Sequence, residues 1–324
     1  MTIRTLMARE NGVAFEQVEE RDLPPHGVTV DVAYSSLNYK DGLAVTGRGR
    51  IVRKFPMVLG IDLAGTVVAS EVDEFKPGDR VLATGQGLSE LDWGGYTQRG
   101  RYRPDTLVPV PDGISLEQAM HIGTAGITAM LCVLALEQNH VLPEEREVIV
   151  TGAAGGVGSI AVLLLARRGY RVAAATGRPE LEDYLRALGA TSIVPREELA
   201  AKGAPMQSER WAGGIDTVGG QTLANVYAQT AYEGAVACCG MAGGHELTIA
   251  VWPMILRNVS LLGVSSLRTS KAKRIEGWSR LATDLDLTKL AQLSRTEPLS
   301  RIVELSEEIL AGHVRGRVAI DVRL

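Results

Sequence analysis

The sequence predicts an α/β protein: a doubly wound parallel sheet with helices on both faces, joined to a β-rich unit. Three observations predict it. From residue 147 onward, short apolar runs alternate with helical stretches. One of those runs enters a glycine-rich turn that opens directly into a helix. The N-terminal third instead carries short β-branched runs broken by Gly, Pro and Asp. The length of 324 residues suits two domains, at about 100–200 residues each.

The elements follow in order. Val28–Ala33 alternates valines with polar residues, and Ala64–Glu71 and Arg80–Ala83 are short apolar or β-branched runs. Pro77-Gly78 before Asp79-Arg80-Val81 reads as a tight turn into a strand. The character changes near Ser115, a helix N-cap for Leu116–Leu136. Strands are expected at Glu147–Thr151, Arg171–Ala175, Thr191–Val194, Ile215–Val218, Ala235–Cys239 and Ser260–Val264. Helices are expected between them at Gly156–Arg168, Glu180–Leu188 and Gln221–Tyr232. This alternation implies right-handed crossovers and a buried parallel sheet. The tail Arg274–Gly312 reads as mostly helical, and Gly316–Val322 as a strand. A tail that returned to the β-rich start would insert the α/β unit into it.

Composition removes several function classes. The formal net charge is −4, unlike the basic balance of nucleic-acid binders. The 36 glycines are about 11 % of the chain against ~7 % in ordinary proteins, without a collagen-like period. Three cysteines, Cys132, Cys238 and Cys239, do not make a disulfide framework. The apolar runs Met130–Leu136 and Ile160–Ala166 are shorter than a membrane span of about 20 residues. The first ten residues lack the apolar centre of a signal peptide. A cytoplasmic enzyme is expected.

The strongest motif is Val148-Ile-Val-Thr-Gly152-Ala-Ala154-Gly155-Gly156-Val157-Gly158. A buried strand, a glycine turn and a helix start place backbone N–H groups and a helix dipole where a pyrophosphate binds. The competing reading is a glycine-rich turn in a ligand-free α/β domain. An NAD site usually has Asp or Glu at the end of the second strand, for the ribose 2′-OH. Here that position reads Val172-Ala-Ala-Ala-Thr176-Gly177-Arg178, without an acid. Thr176 can hydrogen-bond and Arg178 can pair with a 2′-phosphate, which favours NADPH. Arg196, after the third strand, reads equally as a phosphate contact or as surface decoration. Metal ligands are sparse: no cysteine precedes Cys132, and His26, His121, His140, His245 and His313 form no ligand pair. Metal-free chemistry is expected.

These residues resemble a family. Ser35-Ser-Leu-Asn38-Tyr39-Lys40-Asp41 is similar to the Asn-Tyr-Lys-Asp signature of the zinc-free, quinone-oxidoreductase-like members of the medium-chain dehydrogenase/reductase superfamily. Phe55–Gly65, with Gly60-Ile-Asp62 where zinc-dependent relatives carry Gly-His-Glu, fits the same group, as do Trp93-Gly-Gly95, Gly123–Ala129, Tyr184–Ala190, Ile215–Gly219 and Ile255-Leu-Arg257. In detail the chain is most similar to the acrylyl-CoA reductases. The resemblance implies a Rossmann-type sheet, residues 119–264, that binds NADPH. It is inserted into a GroES-like catalytic domain, residues 1–118 and 265–324, and a homodimer is implied. The implied activity is NADPH-dependent reduction of the double bond of an unsaturated acyl-CoA, with quinones or enones and enals as the alternative acceptors.

The resemblance also distributes roles. Tyr39 lies beside the nicotinamide, Ala154–Val157 cradle the pyrophosphate, and Thr176, Gly177, Arg178 and Arg196 take the 2′-phosphate end. Met241, Ile255 and Ser266 fall in segments that line the cofactor. Gly312 stands where some relatives have a polar cofactor contact, so only its backbone serves. Ser265 replaces an aspartate frequent in relatives. Tyr39 is the candidate catalytic hydroxyl, and Asn38 and Asp41 are candidates whose pattern also fits loop fixation. Lys40 is a candidate partner for Asp62. Arg48, Arg50, Arg53 and Lys54 form a basic cluster suited to coenzyme A phosphates. Arg268–Arg274 is a second such run, and Trp93 and Trp252 read as packing residues.

Overall fold

The structure, a computed structural model, describes residues 2–143 and 146–324. It divides into two compact units. The first is Met1–Ile127, Ser266–Ala282 and Ala291–Leu324; the second is Thr128–Ser265 and Thr283–Leu290. The division falls inside an apolar helical stretch, where composition carries no boundary signal. Thr283–Leu290 returns to the second unit because Asp284 pairs with Arg168 at 2.9 Å and Leu285 and Leu290 are buried.

The first unit opens with β1 (Thr2–Arg9), β2 (Gly12–Glu19), β3 (Val28–Ser36), α1 (Tyr39–Val45), β4 (Met57–Val58), β5 (Asp62–Ser70), β6 (Arg80–Thr84), β7 (Arg99–Tyr102), β8 (Val108–Pro109) and α2 (Leu116–Gln138). The second contains β9 (Val148–Val150), α3 (Gly156–Arg167), β10 (Val172–Thr176), α4 (Glu182–Leu188), β11 (Ser192–Pro195), α5 (Glu197–Ala200), β12 (Trp211–Asp216), α6 (Gly220–Ala228), β13 (Thr230–Cys238), α7 (Trp252–Leu256) and β14 (Ser260–Gly263). Then come α8 (Lys271–Asp284), α9 (Leu287–Leu293), β15 (Ser294–Pro298), α10 (Ile302–Leu310) and β16 (Arg317–Asp321).

Ser115 caps α2 reciprocally: Gln118 N donates to Ser115 Oγ at 3.1 Å, and Ser115 N to Gln118 Oε1 at 2.9 Å. α2 is longer than its apolar run suggested, and at 23 residues it is long and apolar enough to cross a membrane. It is nevertheless mostly buried inside the protein and is broken at Gly123, as suits a core helix.

In the second unit the strand order is β11-β10-β9-β12-β13-β14, all parallel. The order reverses between β9 and β12, and ligands of such sheets bind at the carboxyl ends of the strands at that point. Its core holds Ile149, Ala173, Val194, Trp211, Val226 and Val236. Two expected boundaries move. β12 begins at Trp211, ahead of Ile215, and residues 230–232 start β13 and do not extend the preceding helix.

In the first unit one sheet runs β15-β16-β3-β5-β6-β8, with β7 also on β3; β2-β1-β4 form a small second sheet. The tail thus does return to the β-rich start: β16 pairs with β3 and packs Val318, Ile320 and Val322 into the core of Val30, Leu63 and Val81. β15 was not expected, because Ser-Arg-Thr-Glu-Pro has no apolar alternation; it forms by parallel pairing with β16.

Candidate active site

In the second unit, the end of β9 is tied to the end of β12. Thr151 Oγ donates to Asp216 Oδ1 at 2.7 Å, and Thr217 N donates to Thr151 Oγ at 3.0 Å. Asp216 is fully buried. Burial raises its pKa, while hydrogen bonds from Thr151, Gly219 and Val218 hold the rise back. The glycine turn follows. Gly152 has φ +59°, and a Cβ there would overlap Thr217 Oγ. Gly155 N closes the turn on Gly152 O at 2.9 Å, and α3 begins at Gly156 with no side-chain cap. The first-turn amides of α3 are therefore left for another acceptor. At Gly158 an added Cβ would sit 2.7 Å from Ala153 Cα, so the helix start could not lie against the turn. Gly152, Ala154, Gly155, Gly156 and Val157 make a cradle that fits a pyrophosphate.

Beside the cradle, β10 ends at Thr176, which is buried. Arg178 N donates to Thr176 Oγ at 3.1 Å, and Arg178 Nη2 to Ala154 O at 3.1 Å. β11 pairs Pro195 with Thr176, so the next residue, Arg196, emerges at the same sheet edge. Its N donates to Thr176 O at 2.9 Å. A Cβ on Gly177 would lie 2.6 Å from Arg196 Nε. Gly177 is thus the residue that lets the Arg196 guanidinium lie close to the Thr176–Arg178 turn. Two cations and a hydroxyl converge where a ribose 2′-phosphate would sit. Met241 and Ile255 are exposed in this unit, at 70 % and 67 %.

In the first unit, a buried polar network underlies the signature loop. Asn38 caps α1, and Tyr39 is the first helical residue. Asn38 N and Nδ2 donate to Asp41 Oδ2 at 2.9 and 3.1 Å, and Ile61 N donates to Asp41 Oδ1 at 2.9 Å. Asp62, the first residue of β5, accepts Ser36 Oγ at 2.5 Å, Asn38 Nδ2 at 3.0 Å, Thr124 N at 2.8 Å and Thr124 Oγ at 2.5 Å. Gly123 makes this possible. It leaves helical geometry at φ 52°, ψ −159°, which frees the Thr124 amide to cap the carboxylate.

The last member is Arg317. β16 runs antiparallel to β3 with Ala319 opposite Ser36, which carries Arg317 past the strand end to Leu37 and Asn38. Its Nη1 donates to Leu37 O and Asn38 Oδ1, both at 3.2 Å, and its Nε to His121 O at 2.9 Å. A Cβ on Gly123 would lie 2.7 Å from both Arg317 Nη2 and Asp62 Oδ2, so only glycine admits this pair. Burial, then the Asp62 charge, pushes the Asp41 pKa up to about 7. Burial lowers that of Arg317, against the pull of Asp62 and Asp41.

Above this network Tyr39 is 54 % exposed, and among the described residues its hydroxyl has no hydrogen-bond partner. Lys40 pairs with Glu90, not with Asp62, whose oxygens are already taken. Ser266 offers its carbonyl to Gln86 Nε2 at 2.9 Å. Gly312 ends α10 with φ +76°. Sequence reasoning did not single out Ser36, Thr124 and Arg317. The donor set does not fit a zinc ion: the Asp62 lone pairs are consumed by four donors beside a buried cation, and among the described residues no three His, Cys, Asp or Glu side chains are placed to hold a metal.

The model of the alcohol dehydrogenase GroES-like domain matches residues 24–135, and that of the zinc-binding dehydrogenase matches residues 156–283. Acrylyl-CoA reductase AcuI of Ruegeria pomeroyi is 50 % identical over 310 residues, covering 95 % of this chain and 94 % of that protein. The putative quinone oxidoreductase YhfP of Bacillus subtilis is 42 % identical over 323 residues, 98 % of each chain. Its crystal structure with NAD bound overlays with a TM-score of 0.95, covering 99 % of each chain. The yhdH oxidoreductase of Salmonella enterica, crystallised with NADP, overlays with a TM-score of 0.95 at 48 % identity, covering 99 % of each chain. The chain belongs to the medium-chain dehydrogenase/reductase family of oxidoreductases.

Proposed function

We propose that this protein reduces the carbon–carbon double bond of an α,β-unsaturated acyl-CoA with NADPH, acrylyl-CoA to propionyl-CoA being the best-supported case. The observation that carries the cofactor half is the convergence of Thr176, Arg178 and Arg196 at a strand end that has no carboxylate. The substrate half rests on near-full-length similarity to an acrylyl-CoA reductase. When bound, NADPH supplies the hydride. Gly152, Ala154, Gly155, Gly156 and Val157 hold its pyrophosphate, and Thr176, Gly177, Arg178 and Arg196 its 2′-phosphate. Met241 and Ile255 are further cofactor contacts of the same unit, and Tyr39, Ser266 and the Gly312 backbone keep the cofactor roles that the sequence resemblance implies.

Reduction of an unsaturated thioester puts negative charge on the thioester oxygen and requires a proton at the α-carbon. The exposed, unpartnered hydroxyl of Tyr39 is the group of the signature loop suited to orient or relay that proton. Asn38 and Asp41 act as positioning residues: they fix the first turn of α1 from beneath. Tyr39→Phe is expected to lower kcat by roughly 10²–10⁴-fold if the hydroxyl relays the proton, while NADPH affinity stays near wild type. An unchanged kcat would leave the ring a packing role. The second reading, reduction of quinones or of free enals and enones, is favoured by the similarity to YhfP. Steady-state rates with acrylyl-CoA, acrolein and a small quinone separate the two.

The protein is further proposed to be a cytoplasmic homodimer. Cys132, Cys238 and Cys239 are free thiols, as suits a reducing compartment. β14 is the open edge of its sheet. Val251, Trp252, Met254 and Leu256 are all exposed near it in sequence. Trp252 is therefore not the packing residue expected within the chain; it belongs to an apolar face that a second copy would cover.

A further inference from the structure

The charge around α1 is not balanced. Five cations lie on α1 and the segment after it: Lys40, Arg48, Arg50, Arg53 and Lys54. Two carboxylates answer them. Glu90 pairs with Lys40, and Glu307 pairs with Arg48 at 2.7 Å. Arg50, Arg53 and Lys54 are exposed and have no carboxylate partner among the described residues. Arg53 faces Lys40 closely enough that its charge adds to the lowering of the Lys40 pKa, of which burial is the larger cause. Two like charges therefore share a neighbourhood in which Glu90 pairs with Lys40 and the buried Asp41 draws the Lys40 pKa back up.

This segment is not a loose solvated loop. Ile51 N donates to Gly49 O at 2.8 Å, and Arg53 N to Glu90 O at 3.0 Å. The arginines are thus presented from a braced backbone, next to the helix that begins with Tyr39. The second basic run is spent in part on structure. Arg274 is buried, with its guanidinium on the carbonyls of Thr106 and Asp105. Lys271 pairs with Glu74 and donates to Pro104 O at 2.9 Å. The two runs were equal candidates in the sequence; among the described residues the first keeps three exposed cations without a carboxylate partner, all beside α1, and the second keeps two, Arg268 and Lys273.

We propose that Arg50, Arg53 and Lys54 dock the phosphates of the coenzyme A moiety and so set the preference for CoA esters over small free acceptors. The proposal rests on the acyl-CoA reading above. Guanidinium groups match phosphate oxygens in pairs, and an uncompensated positive patch raises the local concentration of a polyanionic substrate.

The test compares two thioesters of acrylate. Acrylyl-CoA carries the phosphates, whereas acrylyl-N-acetylcysteamine keeps the thioester and lacks them. Arg50→Gln, Arg53→Gln and Lys54→Gln are combined in one variant. With saturating NADPH, kcat/KM for acrylyl-CoA is expected to fall about 10- to 100-fold, from three exposed contacts of up to about 1 kcal/mol each. It should also lose most of its salt dependence. kcat/KM for the truncated thioester should stay within about twofold, and so should the Kd of NADPH measured by fluorescence titration. Equal losses with both thioesters, no loss with either, or a shift that appears in NADPH affinity would overturn the proposal. If the unmodified protein turns over neither thioester, the acyl-CoA reading itself fails and the proposal with it.

Discussion

Asp62→Ala is expected to cost about 3–5 kcal/mol of unfolding free energy, read from urea midpoints with an unchanged slope. The carboxylate is fully buried and answers four donors from three residues in two parts of the chain: Ser36, Asn38 and Thr124, the last through both amide and hydroxyl. Alanine would leave these donors unpaired in an interior that admits little water. It would also strand Arg317, whose Nη2 has no hydrogen-bond partner of its own. A buried cation that loses its counter-charge is a costlier defect than a cavity of the same size. The same variant should misplace the first turn of α1, because Asn38 Nδ2 uses Asp62 as well as Asp41. Its kcat should therefore fall under conditions in which the protein remains folded. Arg317→Met should destabilise comparably, and the double variant should lose less than the sum, since each single change strands the other charge. A loss below about 1 kcal/mol for Asp62→Ala would show that the network behaves as a surface pair does.

Arg178→Ala is expected to raise the Kd of NADPH about 10- to 100-fold, the worth of one charge-assisted hydrogen bond, and to move that of NADH by no more than about threefold. The selectivity follows from how the turn is built. Thr176 fixes the Arg178 amide, Ala154 O receives its guanidinium, and Gly177 leaves room for Arg196 alongside. The sequence places no carboxylate at this strand end, Thr176-Gly177-Arg178, to bind a free 2′-hydroxyl or to repel a phosphate. Gly177→Ala should weaken NADPH in the same selective way, by displacing Arg196 without removing a charge. Equal losses for the two cofactors in Arg178→Ala would show that this arginine does not read the phosphate. The outcome matters because the relative YhfP has been crystallised with NAD and yhdH with NADP, so the fold alone does not settle the choice.

How much of this was legible in the sequence follows from the range of the interactions. The glycine turn was legible as a strand-to-helix turn because strand, turn and helix start are contiguous in the sequence. The absence of an acid after Ala175 was equally local. Arg196 was ambiguous, because its position beside Gly177 depends on the pairing of β10 with β11. Arg317 was invisible. It is one of 34 basic residues, and its contact with Leu37 spans 280 positions. Only the antiparallel register of β16 on β3 brings it to Asn38. Thr124 was hidden for a related reason: an apolar helical run gives no sign that Gly123 leaves the helix and offers an amide to Asp62. Lys40 was assigned to Asp62 when the carboxylate free to receive it was Glu90. β15 escaped because a polar strand at a sheet edge owes its form to its neighbour and not to its own pattern.

The most direct test of the whole account is the ratio of kcat/KM for acrylyl-CoA to that for acrolein and for a small quinone, each with NADPH and with NADH. The account predicts that acrylyl-CoA with NADPH gives the highest value, with propionyl-CoA as the product and one NADPH consumed per molecule formed. A quinone or free enal turned over as well as the CoA ester, or equal rates with NADH, would contradict it.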